Sequence, residues 1–442
     1  MSTIAVAVQQ DPPASEDAAL PHDLLRFATA GSVDDGKSTL VGRLLHDTKS
    51  VLADQLAAVE RASRDRGLDA ADLALLTDGL RAEREQGITI DVAYRYLSTE
   101  RRSFVLADTP GHVEYTRNMV TGASTAELAL ILVDARHGIV EQTRRHLAVT
   151  GLLGVRHVAV AVNKMDLVGW DEQVHRRISE EFSSLAAGFG IDDVVAIPVS
   201  ALHGDNVVDR SAQTPWYAGP TLLEHLEAVP VGGDPTAEPL RLPVQVVIRP
   251  RTPEHPDYRG YAGRLAAGVV RIGDRVVVQP GGRTTTVVGI DLPAVGGGVR
   301  SVPEAVAPQS VTLRLADDVD VSRGDLISTA DAPAGVVREL TGAIAVLSES
   351  PVRARARVLV RVGTRVVRGL VEEILDELDL DRLGHHPAGD SLALNAIGRV
   401  RIRLAEPVPV DDYRRARHTG GFLLVDEADG ATLAAGMAEV RG

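Results

Sequence analysis

The sequence predicts an α/β phosphate-loop domain, with a mainly parallel sheet flanked by helices, followed by two antiparallel β-barrel domains. Short apolar runs alternate with helical stretches from Leu24 to about Gly232, a pattern typical of parallel sheets. The turn-rich stretch 231–239 then marks a linker. Residues 240–442 are dense in Val, Thr, Arg and Gly with frequent turn signals, which predicts short antiparallel strands.

Length and composition agree with several soluble domains. A chain of 442 residues exceeds what one hydrophobic core usually serves, and 44% apolar residues without an eighteen-residue apolar run predicts no membrane span. The formal charge of −14 argues against a broad nucleic-acid interface, because such binding depends on many Lys and Arg contacts. The absence of cysteine excludes disulfides and thiolate chemistry and fits a cytoplasmic protein.

The N-terminal residues 1–23 are predicted to be a disordered tail. They contain no Lys or Arg, several acidic residues and three prolines, so neither the basic start nor the apolar core of a secretory signal is present. The nucleotide-binding domain is predicted over 24–232. Its strand candidates are Leu25–Ala30, Phe104–Ala107, Leu128–Val133, Val158–Val162 and Val194–Ile197.

The remaining elements are less regular. The Ala-, Leu-, Arg- and Asp-rich insertion before Thr89 predicts one or two surface helices. The first barrel is predicted over 240–332 and the second over 338–442, where Gly363-Thr364, Gly389-Asp390 and Thr419–Gly421 mark turns. The stretch Val371–Asp379 fits either a helix or a polar strand and turn.

A phosphate-binding loop follows the first predicted strand. The segment 31–38 has the spacing Gly-x-x-x-x-Gly-Lys-Ser, in which backbone N–H groups and the positive end of the next helix surround a β-phosphate. Lys37 should reach the β- and γ-phosphates, and the Ser38 hydroxyl should bind Mg²⁺. The loop residues predicted to bind the nucleotide are Gly31, Ser32, Val33, Asp34, Asp35, Gly36, Lys37, Ser38 and Thr39.

A second phosphate-facing motif follows the strand candidate at Phe104–Ala107. The Asp108 carboxylate ends an apolar run and can hold Mg²⁺ through water, while the Gly111 N–H can bind a γ-phosphate and move when that group leaves. The whole motif is predicted to contact the nucleotide: Asp108, Thr109, Pro110 and Gly111.

Two further residues are assigned to hydrolysis and metal binding. His112 comes directly after the second motif and is predicted to orient the attacking water, since phosphoryl transfer relies on positioning and electrostatics. Thr89, within Gly-Ile-Thr-Ile at 87–90, is the predicted second hydroxyl ligand to Mg²⁺.

The base-reading motif predicts guanine. The Asp166 carboxylate can accept from two guanine N–H donors, and a site built around such donors rejects an analogue that lacks them. Lys164 should lie over the purine ring, and backbone N–H groups after the last strand should support the base edge. The residues predicted here are Asn163, Lys164, Met165, Asp166, Ser200, Ala201 and Leu202. The three motifs in this order predict a GTPase with GTP and Mg²⁺ as its ligands.

These motifs carry a family resemblance. The phosphate loop, the stretch 81–91, the Asp-Thr-Pro-Gly-His motif and 215–223 resemble translation elongation factors of the Tu and one-alpha type. One branch fits better, because 92–96, 115–125, 134–138, 259–263, 419–426 and 435–437 resemble the large GTPase subunit of bacterial sulfate adenylyltransferase. The chain departs from that family at Val113-Glu114, where a Glu-Gln pair is usual.

The resemblance implies a function. Such a subunit hydrolyses GTP and pairs with a separate small catalytic subunit, which makes adenosine 5′-phosphosulfate and pyrophosphate from ATP and sulfate. Hydrolysis is coupled to that uphill adenylylation, the first step of sulfate assimilation. Some relatives carry a fused kinase for adenosine phosphosulfate, and the single P-loop here predicts that this fusion is absent.

An elongation-factor-type GTPase that delivers aminoacyl-tRNA is the alternative from another class. Arg353, Arg355 and Arg357 alternate along a predicted strand and would place three cations on one face. The same pattern also fits a solvated strand face that has no binding function and is balanced by acidic neighbours. The negative net charge favours this second interpretation.

Overall fold

A six-stranded sheet organises the first half of the chain in the computed structural model. The structure describes residues 24–51, 53–65, 72–76, 92–110, 116–231, 235–250, 253, 257–294, 298–380 and 384–440. The predicted tail at 1–23, and the predicted site residues Thr89, Gly111 and His112, lie outside these described residues.

The sheet of the nucleotide-binding domain is parallel except at one edge. Its spatial order is β2-β3-β1-β4-β5-β6, and β2 alone runs antiparallel to its neighbour β3. The central strand β4 is buried along its whole length, as expected for a strand covered on both faces. The strands are β1 Leu24–Ala30, β2 Ala93–Ser98, β3 Ser103–Asp108, β4 Leu128–Asp134, β5 His157–Asn163 and β6 Asp193–Pro198.

Helices connect these strands. Asp171 caps one helix by accepting from Gln173 N, and Thr221 with Glu224 forms a capping box at another. The helices are α1 Lys37–Asp47, α2 Ala53–Asp65, α3 Thr116–Ala123, α4 Glu141–Leu152, α5 Glu172–Gly188 and α6 Leu222–Ala228. Short 3₁₀ turns lie at Leu73–Leu76, Met165–Val168 and Pro235–Ala237.

The second domain is an antiparallel barrel. Its main sheet has the order β7-β16-β11-β12-β15-β9-β8, and β13 pairs with β12. Two hydrogen bonds of 2.8 Å link the chain around β7 to the chain around β9: Gln245 N, just after β7, donates to Ala262 O, and Ala266 N, just after β9, donates to Arg241 O. The strands are β7 Arg241–Pro243, β8 Val246–Ile248, β9 Gly260–Arg264, β10 Val269–Arg271, β11 Arg275–Gln279, β12 Arg283–Pro293, β13 Val299–Val302, β14 Glu304–Val306, β15 Ser310–Leu315 and β16 Leu326–Thr329.

The third domain is a closed six-stranded barrel. Its strands follow the order β19-β24-β25-β17-β23-β20, and pairing of β20 with β19 completes the ring. Closure removes free strand edges from this barrel. Its elements are β17 Gly335–Val346, β18 Val352–Arg353, β19 Arg357–Val362, β20 Arg365–Asp379, β21 Gly384–His386, β22 Ser391–Leu392, β23 Ile397–Val410, α7 Arg417–Gly420, β24 Gly421–Asp426 and β25 Thr432–Ala438.

The predicted fold class is confirmed, and all five predicted strands of the first domain are present. In the described part of the insertion, α2 and the turn at 73–76 are helical, as predicted. Residues 371–379 belong to the long strand β20, so the strand alternative holds there. The edge strand β2 was not predicted. The three domain ranges remain predictions, and β17 begins at Gly335, three residues before the predicted start of the second barrel.

The predicted arginine face is wrong. Arg353 ends β18, Arg355 has φ +65°, and Arg357 begins β19, so the three residues do not share one strand. A positive φ breaks the extended alternation that would have placed all three side chains on one side. All three remain exposed, but they form no continuous cationic strand face.

Ion pairs connect the two barrels. Arg241, only 7% exposed, donates to both carboxylate oxygens of Asp411 at 2.8 and 3.0 Å, and also to two backbone carbonyls. Arg365 pairs with Asp325 at 3.1 Å. A guanidinium that bridges two domains in this bidentate geometry fixes their orientation as well as their separation.

Replacement of Arg241 by Met should lower the free energy of unfolding of the barrels by about 3 kcal/mol, because the enclosed Asp411 carboxylate keeps only the Thr419 hydroxyl as a partner among these contacts. Urea denaturation followed by circular dichroism measures this loss. Arg353→Met removes an exposed arginine of the same barrel and should change stability by less than about 0.5 kcal/mol. Equal effects of the two substitutions would contradict a structural role for the pair.

Candidate nucleotide-binding site

The predicted phosphate loop joins the end of β1 to the start of α1. Gly36, with φ +88°, is the N-cap of α1, and Asp34 also has a positive φ of +69°. A Cβ at Gly36 would lie 2.5 Å from Asn163 Nδ2, so both backbone conformation and space require glycine. Of the other predicted loop residues, Val33 is exposed, while Ser38 and Thr39 are half-buried in the first turn of α1.

Charges are concentrated in this loop. Lys37 is 8% exposed, and burial lowers the pKa of its ammonium group, with Asp108 and Asp35 acting in the opposite direction. Burial raises the pKa of the Asp35 carboxyl, although the Ser32 N–H donates to it at 2.6 Å and partly offsets this shift. A buried cation at the N-terminus of a helix is arranged to meet a phosphate.

Asp108 is held at the end of β3 beside this loop. Its carboxylate is 1% exposed and accepts a hydrogen bond from Thr29 Oγ1 at 2.9 Å. The Thr109 hydroxyl donates back to Thr29 O at 2.5 Å, so β1 and the second motif support each other. Pro110 is buried directly after them.

The donor set fits the predicted magnesium ion. Ser38 and Asp108 offer a hydroxyl and a carboxylate oxygen, and Mg²⁺ beside phosphates is usually bound by one or two protein oxygens. Among the residues it describes, the structure contains no group of three or more His, Cys, Asp or Glu that could hold a metal.

Asn163 connects the phosphate loop to the base-reading loops. At the end of β5 it is 2% exposed; its Nδ2 donates to Asp35 O at 2.7 Å, and its Oδ1 accepts from Ala201 N at 3.0 Å. Ser200 and Ala201 are buried after β6, whereas Leu202 is 64% exposed. The Asn163 carboxamide therefore brings together the phosphate loop, the base-reading motif 163–166 and the predicted base-edge residues 200–202.

Lys164 and Asp166 are the sequence neighbours of the buried Met165. Lys164 has φ +63°, and its ammonium group forms an ion pair with Asp134 at 2.9 Å and donates to Asp34 O. The Asp166 carboxylate is partly exposed, with the His203 ring at 3.9 Å. The lysine stem thus runs beside the phosphate loop while Asp166 remains accessible to a ligand.

Sequence reasoning missed the residues that position Lys164 and the last loop. Asp134 accepts from Arg136 at 2.6 Å and from Lys164; burial alone raises its pKa, but these hydrogen bonds outweigh burial and lower it. Arg43 in α1 donates to the carbonyls of Ala201 and Leu202. The position of Asp134 at the carboxyl end of β4 was the available signal, since ligands bind at that edge of parallel sheets.

Comparison with known proteins places these features in a family. Residues 22–231 match the family model "Elongation factor Tu GTP binding domain", and residues 339–439 match "GTP-eEF1A C-terminal domain-like". Sulfate adenylyltransferase subunit 1 of Shewanella oneidensis is 48% identical over 94% of this chain and 85% of its own length. The chain belongs to the sulfate adenylyltransferase subunit 1 family.

Other similar proteins agree with this family. The subunit 1 protein of Chromobacterium violaceum is 49% identical, covering 94% of this chain and 86% of its own length. The bifunctional enzyme CysN/CysC of Mycobacterium tuberculosis is 53% identical over 94% of this chain and 67% of that enzyme. A crystal structure of sup35 complexed with GDP covers 98% of both chains at 23% identity, with a TM-score of 0.43.

Replacement of Asn163 by Ala should weaken GDP binding about 30-fold, because two hydrogen bonds of about 1 kcal/mol each hold the phosphate loop and the Ala201 loop in place. Isothermal titration calorimetry measures the affinity. Asn206→Ala is the matched control, since its buried carboxamide donates to Pro198 O and Thr214 Oγ1 away from the phosphate loop. A similar loss of affinity in both variants would mean that general destabilisation is the cause.

Proposed function

We propose that this chain is the GTP-binding and GTP-hydrolysing subunit of a sulfate adenylyltransferase. In this proposal GTP hydrolysis here drives the formation of adenosine 5′-phosphosulfate and pyrophosphate from ATP and sulfate on a separate small catalytic subunit. The observation that carries it is the Asn163 connection between a phosphate loop and a guanine-reading motif, within a chain that is 48% identical to a sulfate adenylyltransferase subunit 1 over 85% of that protein.

Each part of the site has a role in this proposal. The loop 31–39 surrounds the β-phosphate, and the buried Lys37 ammonium group neutralises phosphate charge. Asp166 accepts the guanine N–H donors, and Asp134 keeps the Lys164 stem beside the base. Mg²⁺, held by Ser38, Asp108 and Thr89, would neutralise charge on the β- and γ-phosphates. His112 would orient the attacking water.

The alternative, delivery of aminoacyl-tRNA, has less support. Of the three arginines that suggested it, Arg353 and Arg357 lie on two different strands, and Arg355 lies between those strands with a positive φ. The formal charge of −14 also disfavours binding to the phosphate backbone of tRNA.

No helix among the described residues has the length and apolar character of a membrane span. Because the proposed reaction consumes ATP and GTP, we place it in the cytoplasm.

Replacement of Asp166 by Asn should reduce the preference for GTP over xanthosine triphosphate by about 100-fold or more, because the amide no longer rejects the 2-oxo group of xanthine. Competition binding with labelled GDP measures this preference. Asp171→Asn changes the exposed N-cap of α5, outside the predicted base contacts, and should preserve guanine selectivity. An unchanged preference in the Asp166 variant would show that the base is bound elsewhere.

The coupling is tested by pyrophosphate release from ATP and sulfate in a mixture of this chain with a sulfate adenylyltransferase small subunit. GTP should raise the rate at least about tenfold, and Lys37→Gln should abolish that increase, since the variant lacks the phosphate-binding cation. Lys49→Gln, at an exposed lysine just beyond α1, should retain it. If GTP leaves the rate unchanged while aminoacyl-tRNA binds tightly, the sulfate function is excluded.

A further inference from the structure

A cavity lies between the nucleotide-binding domain and the third domain, away from the nucleotide motifs. Its volume is about 260 Å³. Val120, Ser124 and Leu153 contribute walls from the first domain, and Arg361, Arg417 and His418 contribute walls from the barrel. None of the predicted nucleotide-binding residues that the structure describes lines it. The proposed function therefore leaves this cavity without a role.

The cavity is cationic in a chain of formal charge −14. Its charged lining side chains are two arginines, and no Asp or Glu is among the described lining residues. Burial, together with Arg417 and Arg264, lowers the pKa of the His418 ring, which favours its neutral form. Arg417 donates to the carbonyls of Ala126 and Ser124, each at 3.3 Å, and Arg361 Nε donates to Gly363 O at 3.3 Å. Within the described residues these hydrogen bonds go only to backbone carbonyls, which carry no full charge to balance the guanidinium groups.

One carboxylate interacts with this cluster at longer range. Burial raises the pKa of the Glu127 carboxyl, against the influence of three arginines, Arg26, Arg102 and Arg417. Of these three arginines only Arg417 lines the cavity, and Arg361 is not among the groups that act on Glu127, so this one carboxylate does not balance both lining arginines. A net positive charge therefore remains at the cavity, where partial enclosure strengthens attraction for an anion.

The apolar part of the lining is closely packed. The Tyr413 hydroxyl donates to Leu153 O at 3.0 Å and so joins the two domains below the cations. The Phe422 ring packs against the backbone of Gly436, where a Cβ would lie 2.2 Å from the ring. Apolar walls with a few charged groups at one side are typical of small-ligand sites.

We propose that this cavity binds a small oxyanion, a sulfate or phosphate group, between Arg361 and Arg417. The planar guanidinium group presents several N–H donors in a geometry that matches such groups. Both domains supply walls, so the bound anion would hold the end of α3 against the third barrel. Its binding would stabilise the folded arrangement by mass action. This inference does not depend on the proposed function.

The test uses the full chain saturated with GDP, so that the phosphate loop is occupied. Inorganic sulfate and inorganic phosphate are titrated separately, with chloride replaced to keep ionic strength constant, and thermal unfolding and calorimetry are recorded. We expect saturable binding of at least one anion in the millimolar range or tighter. Arg361→Gln should weaken it about tenfold through the loss of one charge-assisted contact, and the hydrogen bond of this side chain to Gly363 O lies within its own barrel.

Controls separate a site from a general salt effect. Arg353→Gln removes an exposed arginine of the same barrel that does not line the cavity, and it should leave anion affinity unchanged. Sulfate also stabilises proteins by exclusion from their surface, which gives a linear, unsaturable rise in every variant. Such a rise alone, or equal binding by the Arg361→Gln and Arg353→Gln variants, would overturn the proposal. Arg417→Gln should weaken binding in the same direction as Arg361→Gln.

Discussion

The side chain of Asn163 holds two loops at a fixed separation, because its amide donates to Asp35 O while its oxygen accepts from Ala201 N. The rest of the site is built around this spacing. Gly36 has no side chain because Asn163 occupies that space. Lys164, the next residue, is turned by a positive φ so that its ammonium group reaches Asp134 and the loop carbonyl of Asp34. A position usually described as part of base recognition therefore also sets the shape of the phosphate loop.

Parallel strand order explains why residues far apart in the chain meet here. The strands β1, β3, β4 and β5 are adjacent, and their carboxyl ends carry the phosphate loop, Asp108, Asp134 and Asn163. The Thr29 hydroxyl and carbonyl connect β1 to Asp108 and Thr109. Since these contacts are buried, an error in strand register would remove several of them at once, which makes the site and the sheet mutually dependent.

Much of this arrangement could be predicted from the sequence, because motif spacing and apolar runs report local structure directly. The phosphate loop and the five strands followed from such patterns. The prediction that Arg353, Arg355 and Arg357 share one strand face was wrong, because it assumed an extended chain. The positive φ of Arg355 depends on tertiary context, which the sequence pattern does not report. The roles of Asp134 and Arg43 depend on which strands and helices become neighbours. The Lys37 and Asp35 pKa shifts likewise arise from burial that only the folded chain defines. The predictions for Thr89 and His112 rest on the sequence alone.

The interactions that hold the three domains together differ in chemical type. The barrels are joined by Arg241–Asp411 and Arg365–Asp325, which are ion pairs with enclosed carboxylates. Across the boundary between the first and third domains, the described hydrogen bonds run from side chains to neutral carbonyls, as with Tyr413 to Leu153 and Arg145 to Asn395. An apolar cluster that includes Ala345, Leu347 and Met437 fills the same boundary. Apolar surfaces and single hydrogen bonds to carbonyls can slide and re-form at lower cost than bidentate charge pairs. We therefore expect the two barrels to rotate together against the nucleotide domain more readily than against each other.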